Sequence, residues 1–258
     1  MGIRHHQLIL PSVVCSTHVA RRIANQVGAL TFAHQHGCGI IGEDVAGIDD
    51  FFADLAGHPN VSSVLIVGLG CETIQAQELA TKLFAVNPST KFQIIQESGG
   101  VEATVIAGVE AARNLDLQFP KIETGSAKFK VGLDLPQEDA FSKELASSIS
   151  GLGLDVIVAT HSAASIDNFS DFMRVGTHVI VSRPSGNQPA SGFPLIPVIN
   201  ISSGSGLHRA TTQDFDLGHD ADIPIILQTL ISTIEGTLTK AEMNKMGEIR
   251  APRRVRSV

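Results

Sequence analysis

The sequence has no tryptophan and no tyrosine, and phenylalanine makes up its whole 5% aromatic content. Charged residues are also few, 17% of 258, and they leave a net charge of -7. A nucleic-acid reader needs a basic face and stacking aromatics, so this composition argues against nucleic acid as a partner. No window approaches the roughly 18 consecutive apolar residues of a membrane span, and the apolar run in "MGIRHHQLILPSVVC" is too short for a secretory h-region. A soluble, cytoplasmic protein with no membrane partner is therefore expected. The three cysteines are an odd number, which argues against a disulfide framework and for a reducing compartment.

A 43% hydrophobic content supplies a sizeable core, and the apolar runs alternate with helical periodicities. "QLILPSVV" (7–14), "ALTFA" (29–33), "SSVLIVGLG" (62–70) and "KFQIIQ" (91–96) read as strands, as do "LDVIVAT" (154–160), "THVIVS" (177–182) and "PVINIS" (197–202). Between them Val19, Ile23 and Val27 share one helical face. So do Leu79, Leu83 and Val86; Val101, Val105 and Val109; Phe141, Leu145 and Ile149; and Ile226, Leu230 and Ile234. This order predicts an α/β fold, a mostly parallel twisted sheet with helices on both faces in a Rossmann-like three-layer arrangement. Two parts are expected, residues 1–125 with the Cys/His motifs and residues 126–258, separable or continuous as one domain. "RPSGNQPASGFP" (183–194) is a long loop suited to a lid or an oligomer contact, and a homo-oligomer is expected.

Ligands in open parallel sheets bind beyond the carboxyl ends of the strands, and all three cysteines fall after predicted strands. Cys15 follows the first, Cys38 lies in "AHQHGCGIIGED" after the second, and Cys71 follows "VLIVGLG". One such cysteine is ordinarily a small buried hydrophobe; three on one edge point to chemistry. They could hold an iron–sulfur cluster, or a single divalent metal joined by His34 or His36, or act without metal as a thiol pair that exchanges protons at carbon, as in a racemase or isomerase. Glu43 and Asp44 could cap the following helix, and Glu72 and Thr73 are expected to start another. In "QESGG", Glu97, Ser98, Gly99 and Gly100 could let backbone N–H groups approach an anion. Later strands end in Thr160 and His161, Ser182 and Arg183, and Ser202 and Ser203. The arginine-rich tail "IRAPRRVRSV" offers bidentate partners for a carboxylate. "GLGCET" lacks the third glycine of a dinucleotide fingerprint.

"LPSVVCS", "HQHGCG" with Asp44 six residues past Cys38, "HPNVSSVLIVGLGCE", "ESGG" and "PVINISSGS" together resemble the altronate/galactarate dehydratase family, over about residues 7–112 and more loosely over 175–258. The resemblance implies a hydro-lyase that removes water from a small hydroxy acid or sugar acid, by α-proton abstraction and β-elimination, with a divalent metal, commonly iron. It carries over Cys15, Cys38, Cys71, His34 and Asp44; the cysteines are expected near or on the metal, with His34, Asp44 and Glu72 as acid/base candidates. Glu97, Ser98, Gly99, Gly100 and Arg183 are the substrate-binding candidates. Members carry a small N-terminal domain, fused or as a separate subunit, so a small-subunit partner is expected. The family's "CGGSD" motif has no counterpart in "KVGLDLPQEDAFSKEL" (130–145). That departure keeps a second expectation alive, a shortened paralogue that binds an acid or a partner without turnover.

Overall fold

The computed structural model describes residues 2–40, 42–117, 129–160 and 165–252. The chain divides into two compact units. One comprises His5–Glu123 with Ile249–Val258; the other comprises Met1–Arg4 with Thr124–Glu248.

In the first unit β1 (His6–Pro11) leads through a short 3-10 turn into α1 (Thr17–Val27). Then come α2 (Glu43–Ala56), β2 (Val61–Gly68), α3 (Ala76–Phe84), β3 (Thr90–Ile94) and α4 (Val101–Leu117). The sheet runs β1-β2-β3, all parallel, with Ile9 opposite Leu65 and Ile66 opposite Phe92. Strand side chains alternate between faces. Ile9, Leu65 and Val67 accordingly pack with Val19 and Ile23 of α1 and Val105 and Val109 of α4. The alternate residues Leu8, Leu10, Val64 and Ile66 are fully buried toward the opposite face, where α2 and α3 lie against β2.

"ALTFA" does not form the expected strand. Only Leu30 pairs, as a bridge to Leu8 on the edge of β1 away from β2. Its N–H reaches the Gln7 carbonyl at 2.9 Å and its carbonyl takes the Ile9 N–H at 2.8 Å. The chain then leaves β1, because the His34 N–H turns to the Thr17 hydroxyl instead. Two other expectations also shift. α3 begins at Ala76 rather than at Glu72, and Val86, beyond its end, is exposed.

The second unit carries β4 (Lys130–Leu135), α5 (Ala140–Gly151), β5 (Asp155–Thr160), α6 (Ser165–Arg174) and β6 (Val179–Ser182). It continues with β7 (Val198–Asn200), α7 (Gly206–Ala210), α8 (Ile223–Ile234) and α9 (Lys240–Met243). Its parallel sheet has the order β5-β4-β6-β7. Leu145 and Ile149 of α5 and Ile226 and Leu230 of α8 cover Leu133, Val181 and Ile199. From the other face the Phe172 ring of α6 packs directly on Gly132, where even a Cβ would crowd it at 3.0 Å. An Asp139–Ser142 capping box starts α5. The Arg4 guanidinium grips the Glu242 carboxylate through two hydrogen bonds of 2.7 and 2.9 Å, the bidentate geometry that makes such a pair specific. The expected strand-end residue His161 and the arginines past Pro252 lie outside the described residues.

Gly192 and Gly247 let two backbone segments of the second unit touch. A Cβ on Gly247, whose φ is 86°, would land on the Gly192 carbonyl. Gly247→Ala should therefore destabilise this unit by more than the roughly 1–3 kcal/mol that left-handed backbone alone costs. Urea denaturation followed by circular dichroism measures the loss.

Candidate functional site

β1 sits between two parallel neighbours, Leu30 on one edge and β2 on the other, so the chain reverses its direction of travel across the sheet there. Such a switch point opens a crevice at the carboxyl ends. Three loops meet at this crevice and are stitched together by backbone. The Val14 N–H donates to the His36 carbonyl at 2.9 Å, joining the loop after β1 to the histidine loop. The Cys38 carbonyl accepts both the N–H and the hydroxyl of Thr73 at 3.0 Å, joining the histidine loop to the one after β2.

This stitching brings the cysteines together. Cys15, in the 3-10 turn, and Cys71, three residues past β2, are exposed, and Cys38 is half-buried. The Cys15 and Cys38 sulfurs stand 3.8 Å apart. Contact with Cys15, then loss of water, then the neighbouring charges of Cys15 and Cys71 push the Cys38 thiol up to about 11. Among the described residues, no group of three or more His, Cys, Asp or Glu forms a ready-made metal site. The Cys15 and Cys38 sulfurs in contact have the donor chemistry of a soft-metal site.

His34 is buried to 2% exposure beneath this loop, with its ring against Phe32, His36 and Phe52. Its Nδ1 accepts the His36 N–H at 3.1 Å, so in the neutral ring the proton sits on Nε2, a buried atom with no hydrogen-bond partner. Burial first, and the His36 charge second, lower its pKa from 6.5 to about 4. At neutral pH His34 is thus an uncharged N–H donor. His36 has a structural task, since its Nε2 reaches the Pro252 carbonyl at 2.8 Å. A carbonyl only accepts, so that nitrogen carries a proton.

Asp44 is buried in the first turn of α2, where a helix N-terminus favours a carboxylate. Glu72 is buried too, but both of its oxygens are engaged. Oε1 accepts from the Ser12 hydroxyl and the Leu69 N–H at 2.9 and 3.0 Å, and Oε2 accepts from the Gly70 N–H at 2.6 Å. It braces the ends of β1 and β2 rather than standing free to move a proton. In "QESGG" the Ser98 and Gly100 N–H groups go to the Ile94 and Ile95 carbonyls, which removes them from any anion cradle. Gly99 and Gly100 have φ of 89° and 100° and supply the turn, and Glu97 is exposed. Arg183 belongs to the second unit, its guanidinium 5.1 Å above the Phe141 ring. Thr17, Ser12 and Thr73, which anchor His34, Glu72 and Cys38, are the residues that sequence reading passed over as anchors. Their positions within a few residues of a strand end or a cysteine were the available signal.

Residues 1–118 match the family described as D-galactarate dehydratase/altronate hydrolase, second domain. Among curated proteins, the altronate dehydratase of Escherichia coli strain K12 is 29% identical over 174 residues, 62% of this chain and 34% of that protein. The altronate dehydratase of Bacillus subtilis strain 168 is 25% identical over 202 residues, 72% of this chain and 40% of that protein. The resemblance is to the altronate/galactarate dehydratase family. The chain spans a third to two-fifths of the length of these curated relatives. The matched stretch, 1–118, holds all three cysteines, His34, Asp44 and Glu72. No helix among the described residues is long and apolar enough to cross a membrane.

Two outcomes follow from the site's protons. Because His34 resists protonation when folded, stability is full above its unfolded pKa of 6.5 and declines as pH falls toward about 4. Over that window the loss should be on the order of 3 kcal/mol. His34→Gln should flatten the decline, as read by urea denaturation at several pH values. In metal-free protein at pH 7, Cys38 should alkylate with iodoacetamide more slowly than a free cysteine, because little of it is thiolate. Cys15→Ala, which removes the main cause of the raised pKa, should speed it, as followed by peptide mass spectrometry.

Proposed function

We propose that this chain is a hydro-lyase subunit that removes water from a hydroxylated sugar acid to give a 2-keto-3-deoxy acid. The observation that carries the reading is the contact of the Cys15 and Cys38 sulfurs, from two separate loops, at the switch point of the first sheet, with Cys71 near enough to act on the Cys38 thiol. Supporting it are the match of residues 1–118 and the altronate dehydratases to which the chain is similar. Cys15, Cys38 and Cys71 would hold a divalent metal, iron by the softness of the donors, as a single ion or a cluster. Bound there, the metal supplies Lewis acidity toward a hydroxyl or carboxylate.

The chain's own groups divide the remaining work. His34 is neutral and carries its proton on Nε2, so it offers a hydrogen bond rather than a positive charge. Its low pKa makes it a poor base, which leaves Asp44 as the better candidate to take the proton next to the substrate carboxylate. Glu72 keeps the crevice in shape through Ser12, Leu69 and Gly70. The buried wall of Phe32 and Phe52 behind His34 keeps water from that side. We assign the protein to the cytoplasm, working with a separate small subunit and as a homo-oligomer.

Protein purified without oxygen should contain iron, and Cys38→Ser should lose most of it while keeping the wild-type circular dichroism. Altronate and galactarate dehydration, assayed with the small subunit present, should fall at least about 100-fold in Asp44→Asn, the range expected for a lost general base. Iron-free protein that dehydrates either acid at full rate would end the metal reading. A second reading, an acid-binding paralogue without turnover, draws on the absence of a counterpart to the family's "CGGSD" motif in residues 130–145. Iron binding with no dehydration of any aldonate or aldarate, the small subunit included, would favour it.

A further inference from the structure

The carboxyl edge of the second sheet carries a different chemistry, and it lies wholly within its own unit. Just past β7 the Ser203 hydroxyl stands 2.9 Å from His208 Nδ1. His208 is buried to 1% exposure, and its Nε2 lies 2.8 Å from the Gln188 carbonyl. Since a carbonyl only accepts, Nε2 must bear the proton, and in the neutral ring Nδ1 carries one lone pair, which the Ser203 N–H and hydroxyl share. That lone pair faces the Ser203 hydroxyl, and the Ser203 N–H also points at it from 2.8 Å. The three parts of an activated nucleophile are therefore in place: a hydroxyl, a base within hydrogen-bond reach, and a group that fixes the base's tautomer and orientation.

The surroundings set Ser203 apart from its neighbours. Ser203 is half-buried, and the long loop passes over it with Gly186, where a Cβ would stand 3.4 Å from Ser203 Oγ. Its neighbours are committed elsewhere. The Ser202 hydroxyl accepts the Gly204 N–H at 3.0 Å, and the Ser205 hydroxyl accepts the His208 N–H at 3.2 Å. Neither faces a base.

We infer that Ser203 is a base-activated nucleophile that accepts an acyl group from a small carboxylic ester, with His208 as the base. Ser203 Oγ bonds to the acyl carbon as the ester's C–O bond to its alcohol breaks. The hydroxyl proton passes to His208 Nδ1 and from there to the departing alkoxide, so charge and atoms balance without a further reactant. The Ser203 and Gly204 N–H groups are already engaged, so no pair of donors waits for an oxyanion. The acyl-enzyme should accumulate rather than turn over.

The full chain incubated with p-nitrophenyl acetate tests this by peptide-level mass spectrometry, which separates serine from cysteine adducts. Acetylation at Ser203 well ahead of Ser202 and Ser205 is expected, absent in Ser203→Ala and slowed about 100-fold in His208→Gln. No adduct at Ser203, equal labelling of the three serines, or a His208→Gln rate equal to wild type would overturn the inference. The comparison among the three serines needs only the wild-type chain, so a misfolded variant cannot decide it. Neither result bears on the Cys15–Cys38 site, which lies in the other unit.

Discussion

Parallel pairing around β1 is the constraint from which the site follows. A parallel neighbour cannot be reached by a tight turn, so each crossover must run back through a helix and leave its loop at the same carboxyl edge. Gln7 and Ile9 of β1 bond to Leu30, while Ser12, just past its end, bonds to Val67 of β2. The strand is thereby held on both edges. The loops after β1, after Leu30 and after β2 have no choice but to meet. Cys15 and Cys38, 23 positions apart in sequence, are in contact for this reason, before any property of sulfur is considered.

The second unit obeys the same rule with other residues. β4 is paired on one edge with β5, the next strand of the chain, and on the other with β6. In the first unit β1 is likewise flanked by the next extended residue, Leu30, and by β2. Each unit thus has a switch point at its first strand, and what differs is the chemistry hung on the loops. The first presents thiols. The second presents hydroxyls and amides, with Asp134 buried at its switch point and holding the Ser182 hydroxyl and the Asn168 amide at 2.8 and 2.7 Å. A scaffold of this kind sets where a site can be and leaves its reaction to the loops.

Five helices and most strands could be read from periodicity, because core contacts demand it, whereas α2, α6 and the central strand β4 were not. Ile23 and Val105 are buried as their spacing requires, and so are Ile226 and Leu230 in the second unit. "ALTFA" misled because apolar composition reports burial, whereas pairing depends on where the N–H groups go. Past Leu30 the chain turns to α1, through Thr17. Glu72 misled for a related reason: an acid near a predicted helix start reads as a cap, yet its partners are Ser12, 60 positions away, and the turn at Gly70. That Cys15 and Cys38 fall in neighbouring loops was legible because it needed only strand order. The Ser203–His208 pair was not, since their spacing in sequence has no meaning until the turn after β7 and the Gln188 carbonyl are in place.

Charge explains why the thiol cluster and His34 belong to one design. Contact with Cys15 and loss of water, with the charges of Cys15 and Cys71 behind them, keep Cys38 protonated up to about 11. A positive imidazole beneath the loop would act the other way, by drawing the thiols into their ionised forms. Burial removes that option, because His34 stays neutral down to about 4. The loops therefore hold their protons until a cation of higher charge can replace them, and each thiol ionised by a metal must release one. On the proposed reading, metal affinity should rise with pH through the neutral range, with the protonated Cys38 as the main competitor and His34 taking no part.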